Sequence, residues 1–219
     1  MSPALEDRLG RLTMVAIFSA VLVRKVASVM ALLRTDPGTA AELLRLAQDG
    51  LSLAFAALVV VMTIRRLPAT HGPSGLEPRI TAIAGTYALI FLVALPSGDA
   101  PLLARQIGVS LMAIGLVGSI YALWHLGRAF SIAPTARELV TSGPYGIVRH
   151  PLYITEAITT LGIIIGFWSW PAVLLGLVQT ALQYRRIAHE EHVLREAFPE
   201  SYGDYAARVP QLLPRLARA

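Results

Sequence analysis

Four polar side chains share one face of a predicted helix in the stretch LVQTALQYRRIAHEEHVL. Gln179, Gln183, Arg186 and Glu190 follow one another at spacings of four, three and four residues, which brings side chains together on a helix surface. Facing lipid they would be costly, whereas they suit a polar cavity that opens at the membrane edge. Interfacial snorkelling would explain Arg186 and Glu190 but not the glutamines. We call these four residues the polar stripe and predict that it lines such a cavity.

A second polar cluster, SGPYGIVRHPLYITE, stands between two apolar runs at residues 142–156. Pro151 favours an extended backbone at His150 and can occupy the first turn of a helix that carries Tyr153. If this helix meets the polar stripe, the cluster forms one wall of a site; otherwise it only anchors a loop at the membrane surface. We favour the site, with Glu156, one turn further on, as a structural or access-tunnel residue.

The elements that must position these residues are long and apolar. Of the 219 residues, 55% are hydrophobic and 15% are charged, against about 25% charged residues in soluble domains. A helix needs roughly 17–25 apolar residues to cross a bilayer, and six runs approach that length: residues 12–33, 47–64, 80–95, 102–126, 153–168 and 171–182. The predicted fold class is therefore all-α, a polytopic integral membrane helical bundle of about five to six membrane segments.

Only the tripeptide SWP separates the last two runs, and its Pro171 is tolerated in the first turn of a helix. We therefore predict that these two segments form a tight helical hairpin, which returns the chain to the side that it left. The cluster at residues 142–156 and the end of the polar stripe would then converge on one rim. Gly162 and Gly166 have a spacing that permits close helix approach, and we expect them to pack within the hairpin.

The loops predict the orientation. The loops on one side are basic, with Arg65, Arg66, Arg79, Arg128, Arg137, Arg149, Arg185, Arg186 and Arg195. The loops on the other side are acidic, with Asp36, Glu42, Asp49 and Asp99. The positive-inside rule then places both termini and the site in the cytoplasm, and the protein in the cell inner membrane if the source is bacterial.

Arg24 and Lys25 interrupt the first apolar run. We expect them to mark a helix that is shifted in depth, or that faces the protein interior or a dimer contact, although they could also line a pathway. The oligomeric state is left open.

Several chemistries are excluded or disfavoured by the sequence. The chain has no cysteine, which excludes disulfides, thiolate nucleophiles and Cys-based zinc sites. In HEEH, His189 and His192 are three residues apart, not the four of a metalloprotease helix, so no metal is predicted. The nucleotide-binding glycine motifs and the serine-hydrolase elbow are absent. The formal charge of +5 is explained by basic loops, so no nucleic-acid partner is predicted.

Two longer stretches, LVTSGPYGIVRHPLY and RRIAHEEHVLREAFPESYGDYAARVPQLLP, resemble the isoprenylcysteine carboxyl methyltransferases. They also resemble the wider superfamily that includes the phosphatidylethanolamine N-methyltransferases. The similarity covers roughly residues 124–214, and its specificity comes from RHPxY, the EE pair and the tail Y-x-x-Y-x-x-x-V-P in that order. It divides the chain into variable N-terminal transmembrane helices, 1–100, and a membrane methyltransferase core with a cytoplasmic cofactor site, 101–219.

The resemblance implies an enzyme that uses S-adenosyl-L-methionine, releases S-adenosyl-L-homocysteine and acts on a lipophilic methyl acceptor in the bilayer. The matched cofactor-binding positions are Arg137, Glu138, Leu139, Val140, Tyr145, His150, Pro151, Leu152, Tyr153 and Glu190. Arg186 matches a family arginine linked to substrate and catalysis. Gln183 and Gln179 continue the polar stripe and are expected to contact the substrate.

The nucleophile separates the candidate functions. A carboxylate is already ionised at neutral pH and needs only orientation, which an arginine such as Arg186 provides. This favours carboxyl O-methylation of an isoprenylcysteine-like or acyl substrate. Phospholipid (ethanolamine) N-methylation stays open, because Arg186 could hold a lipid phosphate and His150 or Glu190 could act as the base that an amine needs. A non-catalytic scaffold or transporter is the third alternative, although transporter sites usually lie at the membrane midplane.

Overall fold

The structure, a computed structural model, describes residues 3–35, 38–94 and 98–214. These ranges contain α-helices, two short 3-10 turns and no strand, which confirms the all-α class. The helices are α1 (Pro3–Leu33), α2 (Ala40–Arg65), α3 (Glu77–Ala94), α4 (Leu102–Leu126), α5 (Pro151–Phe167), α6 (Trp170–Ala197) and α7 (Pro199–Arg208). The 3-10 turns are Gly127–Ala129 and Gly143–Gly146.

Three stretches are long and apolar enough to cross a membrane: Asp7–Leu33, Ala40–Arg65 and Leu102–Ala129. The helix Pro151–Phe167 is also apolar but shorter. The chain is therefore a membrane-spanning helical bundle, while the predicted number of five to six segments stays a prediction. The third predicted run ends at residue 95, which lies outside the described residues.

Local signals explain where the helices around the site begin and end. Pro151 opens α5, and its preceding residue His150 has a non-helical backbone (φ −128°, ψ 60°). Trp168 ends α5 in the left-handed conformation (φ 49°) and donates its N–H to the Ile164 carbonyl. Ser169 then precedes α6, whose first turn contains Pro171. Two residues thus connect α5 to α6, and the membrane hairpin that we predict for them stays a prediction.

Glycines bring the backbones of α4 and α5 into contact. A Cβ atom built on Gly162 would lie 2.6 Å from the Gly108 carbonyl oxygen, and one on Gly108 would lie 2.7 Å from that of Gly162. The expectation that Gly162 and Gly166 pack within the α5–α6 hairpin is therefore wrong, since their partner is α4. The spacing of small residues indicates that a helix approaches closely, but it does not say which one.

The start of α1 is tied to two loops by Asp7. Its carboxylate pairs with Arg66 at 2.9 Å and with Arg137 at 2.7 Å. Arg66 also donates to the Asp7 carbonyl at 2.6 Å. Burial and the neighbouring Arg137 charge lower the pKa of Arg66 to about 10, so it still carries its charge at neutral pH. These contacts cross the predicted division at residue 100, which stays a prediction.

Candidate active site

A cavity of about 1330 Å³ runs through the bundle. It reaches from Tyr145, Tyr202 and Tyr205, near the start of α5, to Gly166 and Phe167 at the end of that helix. Small-molecule pockets usually measure ~300–1,000 Å³, so this cavity has room for a cofactor together with part of a lipophilic molecule. All site residues predicted from the sequence line it except Pro151, namely Arg137, Glu138, Leu139, Val140, Tyr145, His150, Leu152, Tyr153, Gln179, Gln183, Arg186 and Glu190.

The polar stripe faces this cavity from α6. Gln179, Gln183 and Arg186 are buried, and Glu190 is half-buried. Arg186 donates to the Gln183 side-chain oxygen at 2.8 Å and to the Ile132 carbonyl at 3.2 Å. The predicted position of the stripe is therefore confirmed: these side chains contact one another and line the cavity. They thereby avoid lipid, where exposing polar groups would be energetically costly. What they bind stays a prediction.

The two predicted halves of the site meet at Glu190. The Tyr153 hydroxyl donates to the Glu190 carboxylate, and His150 Nδ1 lies 3.9 Å from it. Arg186 approaches the same carboxylate at 4.0 Å, and its guanidinium lies 5.2 Å from the centre of the Tyr153 ring. The RHPxY motif of α5 and the polar stripe of α6 thus form one contiguous wall.

Glu191, which the sequence left without a role, is the centre of a second network. Arg149 contacts its carboxylate twice, at 2.9 and 2.8 Å, and Arg195 contacts it at 2.9 Å. His150 Nε2 and Gln211 Nε2 lie 3.2 and 3.1 Å from it. Burial alone would raise the pKa of Glu191, but hydrogen bonds from His150, Gln211 and Arg149 and the Arg149 charge lower it to about 2. Glu191 is therefore a firmly ionised anchor.

This second network attaches the C-terminal tail to the RHPxY motif. The backbone N–H groups of Arg149 and His150 donate to the carbonyls of Pro210 and Gln211, at 2.9 and 3.2 Å. The Arg149 guanidinium also donates to the carbonyls of Ala206 and Val209, at 2.9 and 2.8 Å. These bonds explain why the tail motif accompanies RHPxY in the sequence: the tail holds the start of α5 in place.

The tyrosines of the tail complete the same end of the cavity. The Tyr205 hydroxyl donates to the Tyr145 carbonyl at 2.7 Å, and burial raises the pKa of Tyr205 to about 12. Burial and the Glu190 charge raise the pKa of Tyr145 as well. Both hydroxyls therefore keep their protons and can act as hydrogen-bond donors at neutral pH.

The sequence predicts a structural or access-tunnel role for Glu156, and the structure places this residue in the cavity wall. It lies one turn beyond Tyr153 on α5, lines the cavity and accepts a hydrogen bond from Gln183 Nε2. The cavity wall thus combines two carboxylates, Glu156 and Glu190, with the guanidinium of Arg186. The available signal was the three-residue spacing from Tyr153 to Glu156, which places both side chains on the same face of the helix.

Arg137 has a different position from the other predicted cofactor residues. Its side chain is buried, and its guanidinium donates to the Asp7 carboxylate at 2.7 Å and to the Leu67 carbonyl. Two partners inside the protein thus engage this group, while its buried Nε has no hydrogen-bond partner among the described residues. The following residues, Glu138 to Val140, are exposed or half-buried and face the cavity.

Several buried polar atoms of cavity-lining residues lack a hydrogen-bond partner among the residues that the structure describes. The Tyr145 hydroxyl, Gln179 Oε1 and Arg186 Nε are among them. Only 2% of the Gln179 side chain is exposed, so an unpaired polar atom there is costly unless something enters the cavity. The pattern is typical of a binding site whose ligand completes the hydrogen bonds.

The histidines of HEEH pair with acids on the protein surface. His189 lies 2.8 Å from Glu77, and His192 lies 3.3 Å from Glu196. No group of three or more potential metal ligands occurs within the described part of the chain. The predicted absence of a metal stays a prediction.

Comparison with known proteins identifies the class. Residues 103–201 match the family described as phospholipid methyltransferase (PEMT). The chain is 32% identical to the nickel-cobalt-cadmium resistance protein NccN of Alcaligenes xylosoxydans xylosoxydans, over 71% of this chain and 76% of the relative. It is 28% identical to protein-S-isoprenylcysteine O-methyltransferase B of Arabidopsis thaliana, over 67% of this chain and 82% of the relative. Methanethiol S-methyltransferase 2 of Bradyrhizobium diazoefficiens is 40% identical over 33% of this chain and 27% of the relative.

These matches define a class of membrane methyltransferases. The chain belongs to the superfamily that contains the phospholipid methyltransferases and the isoprenylcysteine O-methyltransferases, which confirms the resemblance found in its motifs. The matched residues 103–201 run from α4 into α7 and include both halves of the cavity wall. The named relatives differ in what their names say they act on, so the acceptor of this chain belongs to the proposal below.

Proposed function

We propose that this chain uses S-adenosyl-L-methionine to methylate a carboxylate on a lipophilic acceptor, isoprenylcysteine-like or acyl, at the cytoplasmic face of the membrane. The observation that carries the proposal is the position of Arg186. Its buried guanidinium stands in the wall of a cavity that also has apolar walls, among them Phe18, Phe55 and Leu116. An amphiphile with an anionic head matches that arrangement, and the basic loops support the cytoplasmic side.

The residues around Glu190 fit the cofactor. S-adenosyl-L-methionine supplies a methyl group on a cationic sulfonium and leaves as S-adenosyl-L-homocysteine. The carboxylates of Glu190 and Glu156 suit a cation, and the unpaired Tyr145 hydroxyl offers a donor. Glu190 would hold the ribose hydroxyls or the amino group, and backbone groups near Leu139 and Val140 would contact the adenine.

The acceptor needs orientation more than activation. Methyl transfer from a sulfonium is an in-line displacement, so catalysis depends on alignment and on the exclusion of water. The planar guanidinium of Arg186 can bind both oxygens of a carboxylate, and Gln183 fixes that guanidinium at 2.8 Å. Gln179, buried two turns away along the stripe, offers an unpaired oxygen to the next part of the acceptor.

Titration calorimetry with S-adenosyl-L-methionine tests the cofactor assignment. We expect the wild type to bind, and Glu190→Ala and His150→Ala to bind at least about tenfold more weakly. Glu190→Ala removes a charged hydrogen-bond acceptor for the cofactor, and His150→Ala removes a side chain that lies beside this acceptor. Glu196→Ala and His192→Ala, from an exposed pair on the same helix, are the matched controls and should bind normally. A wild type that does not bind would favour a non-catalytic membrane protein, and unaffected Glu190 and His150 variants would refute the site.

A second candidate is methylation of a phospholipid amine, and Glu156 is the observation that favours it. A carboxylate beside Arg186 in the cavity wall could hold an ammonium group or take its proton, which a carboxylate acceptor would not need. Arg186 would then contact the lipid phosphate.

Labelled methyl transfer to fractionated membrane lipids, followed by mild alkaline hydrolysis, separates the two candidates. Methyl esters release the label and methylamines retain it, and we expect release. We also expect Glu156→Gln to keep ester formation, because the neutral amide can still accept from Gln183. Label that survives hydrolysis, together with loss of activity in Glu156→Gln, would replace the first candidate by the second.

A further inference from the structure

Three arginines share one carboxylate near the start of α1. The Asp7 carboxylate pairs with Arg66 and Arg137. It also lies 3.7 Å from the guanidinium of Arg11. Within the described residues, no other acid pairs with any of these arginines. The buried Nε atoms of all three guanidinium groups also lack a hydrogen-bond partner there. One negative charge thus faces three positive ones.

A fourth arginine joins them at the end of α2. Arg128 donates from Nε to the Arg65 carbonyl at 3.1 Å, next to the Ile64 carbonyl that Arg11 approaches at 3.4 Å. Arginines near a helix C-terminus pair with its free carbonyls, so part of this charge caps the helix. A helix end offsets only about half a unit charge, whereas each guanidinium carries a full charge and five N–H donors. We call the following residues the arginine cluster: Arg11, Arg66, Arg128 and Arg137.

The arginine cluster therefore keeps a surplus of positive charge. Its members Arg66 and Arg137 are buried, where water screens their charges less than at the surface. Burial and the charges of Arg137 and Arg11 lower the pKa of Arg66, which shows that the like charges act on one another. A negatively charged ligand beside the cluster would relieve this repulsion and stabilise the protein.

The cluster lies where lipid head groups are expected. The three stretches that are long enough to cross a membrane all have one end beside it: the first begins at Asp7, the second ends at Arg65 and the third ends at Ala129. Arg128 is exposed, and so is 37% of the Arg11 side chain. Arginines next to membrane segments attract anionic lipids, and a guanidinium can bind a phosphate through two parallel hydrogen bonds.

We infer that Arg11 and Arg128 hold the phosphate of an anionic phospholipid of the surrounding bilayer, and that the buried arginines of the cluster add to the attraction. A lipid fits better than inorganic phosphate because apolar surface adjoins the cluster. Trp124, one helical turn before Arg128, is 68% exposed and can be covered by an acyl chain. The inference stands apart from the proposed function, because its test needs neither the cofactor nor the acceptor.

Quenching of Trp124 by neighbouring lipid tests the inference. The chain has three tryptophans, so Trp168→Phe/Trp170→Phe leaves Trp124 as the only one. In bilayers of phosphatidylcholine and phosphatidylglycerol, brominated acyl chains on one lipid at a time report which lipid lies beside Trp124. We expect a preference for phosphatidylglycerol of at least about fivefold, which falls as the salt concentration rises.

Variants made in this single-tryptophan protein locate the preference. Arg11→Gln/Arg128→Gln should bring it close to one, and Arg11→Lys/Arg128→Lys should keep most of it. Arg34 and Arg105 are exposed residues near the opposite ends of α1 and α4, and Arg34→Gln/Arg105→Gln is the matched control that removes the same charge. It should leave the preference unchanged. No preference before these changes, or an equal loss in the two Gln variants, would overturn the inference.

Thermal unfolding in detergent separates the lipid from free phosphate. Short-chain phosphatidylglycerol should raise the Tm of the wild type, and inorganic phosphate at equal ionic strength should raise it less. In Arg11→Gln/Arg128→Gln the rise with lipid should be largely lost. An equal rise with inorganic phosphate would overturn the lipid as the ligand, and an unchanged rise in the variant would overturn the site. The comparison of lipids in the protein with both arginines stays decisive even if this variant fails to fold.

Discussion

Arg186→Ala is expected to lower methyl transfer by about 100- to 1,000-fold while leaving cofactor affinity nearly unchanged. The guanidinium is buried in the cavity wall, fixed by Gln183 and Ile132, and it is the group that would orient the acceptor carboxylate. Its loss leaves the acceptor free to bind in unproductive positions. Initial rates of labelled methyl transfer, measured beside titration calorimetry with the cofactor, separate the two effects.

Arg185 provides the matched control for this substitution. It is the neighbouring residue on the same helix, its side chain is 66% exposed, and it pairs with Glu77 at 3.0 Å. Arg185→Ala should therefore retain nearly full activity. Arg186→Lys should recover only part of the rate, since an ammonium group keeps the charge but not the planar fork. Loss of cofactor binding in Arg186→Ala would contradict the role assigned to this residue.

Glu191→Ala is expected to lower the free energy of unfolding by about 3–5 kcal/mol, the usual cost of removing one partner of a buried ion pair. The substitution leaves Arg149, whose side chain is 12% exposed, without its carboxylate partner. His150 and Gln211 lose their acceptor at the same time. Thermal unfolding in detergent, followed by circular dichroism, measures the change. Glu196→Ala, at an exposed pair five residues further on, should have little effect.

Acid titration of stability gives an independent check on the same anchor. The pKa of Glu191 lies at about 2 in the folded protein, below its ordinary value of 4.5. Its contribution is therefore complete above pH 4.5 and is lost as the pH falls towards 2. Glu191→Gln cannot lose a proton, so this part of the acid dependence should be missing. If the variant loses stability in acid in the same way as the wild type, then carboxylates other than Glu191 determine the pH dependence of stability.

Helix periodicity explains which parts of the site could be predicted from the sequence. The spacing of the polar stripe is a property of one helix, so it brings Gln183, Arg186 and Glu190 to the same face whatever surrounds them. Pro151 likewise acts on its own neighbourhood, where it opens α5 and leaves His150 outside the helix. Both are local effects, and the structure agrees with the sequence at both.

The parts that could not be predicted depend on contacts between distant segments. Adjacent side chains on a helix point about 100° apart, so both members of the EE pair cannot face the cavity equally. The contacts of Glu191 with Arg149 and Gln211, however, depend on the folded tail and could not be predicted from helix geometry. The packing partner of Gly162 was predicted wrongly for the same reason, since this residue packs against α4 and not against α6. Glu156 was underestimated because Gln183, its hydrogen-bond donor, lies 27 residues away.

The contacts of Asp7 have a consequence for exchanging parts between relatives. Asp7 and Arg137 lie 130 residues apart in the chain, on opposite sides of the predicted boundary at residue 100. A chimera joined at that boundary would contain Arg137 without Asp7. The pair would be kept only if the relative that supplies the N-terminal part has an acidic residue at the position of Asp7. Buried without Asp7, Arg137 would then be an uncompensated charge next to residues 138–140. The N-terminal helices and residues 137–140 are therefore expected to be inherited together.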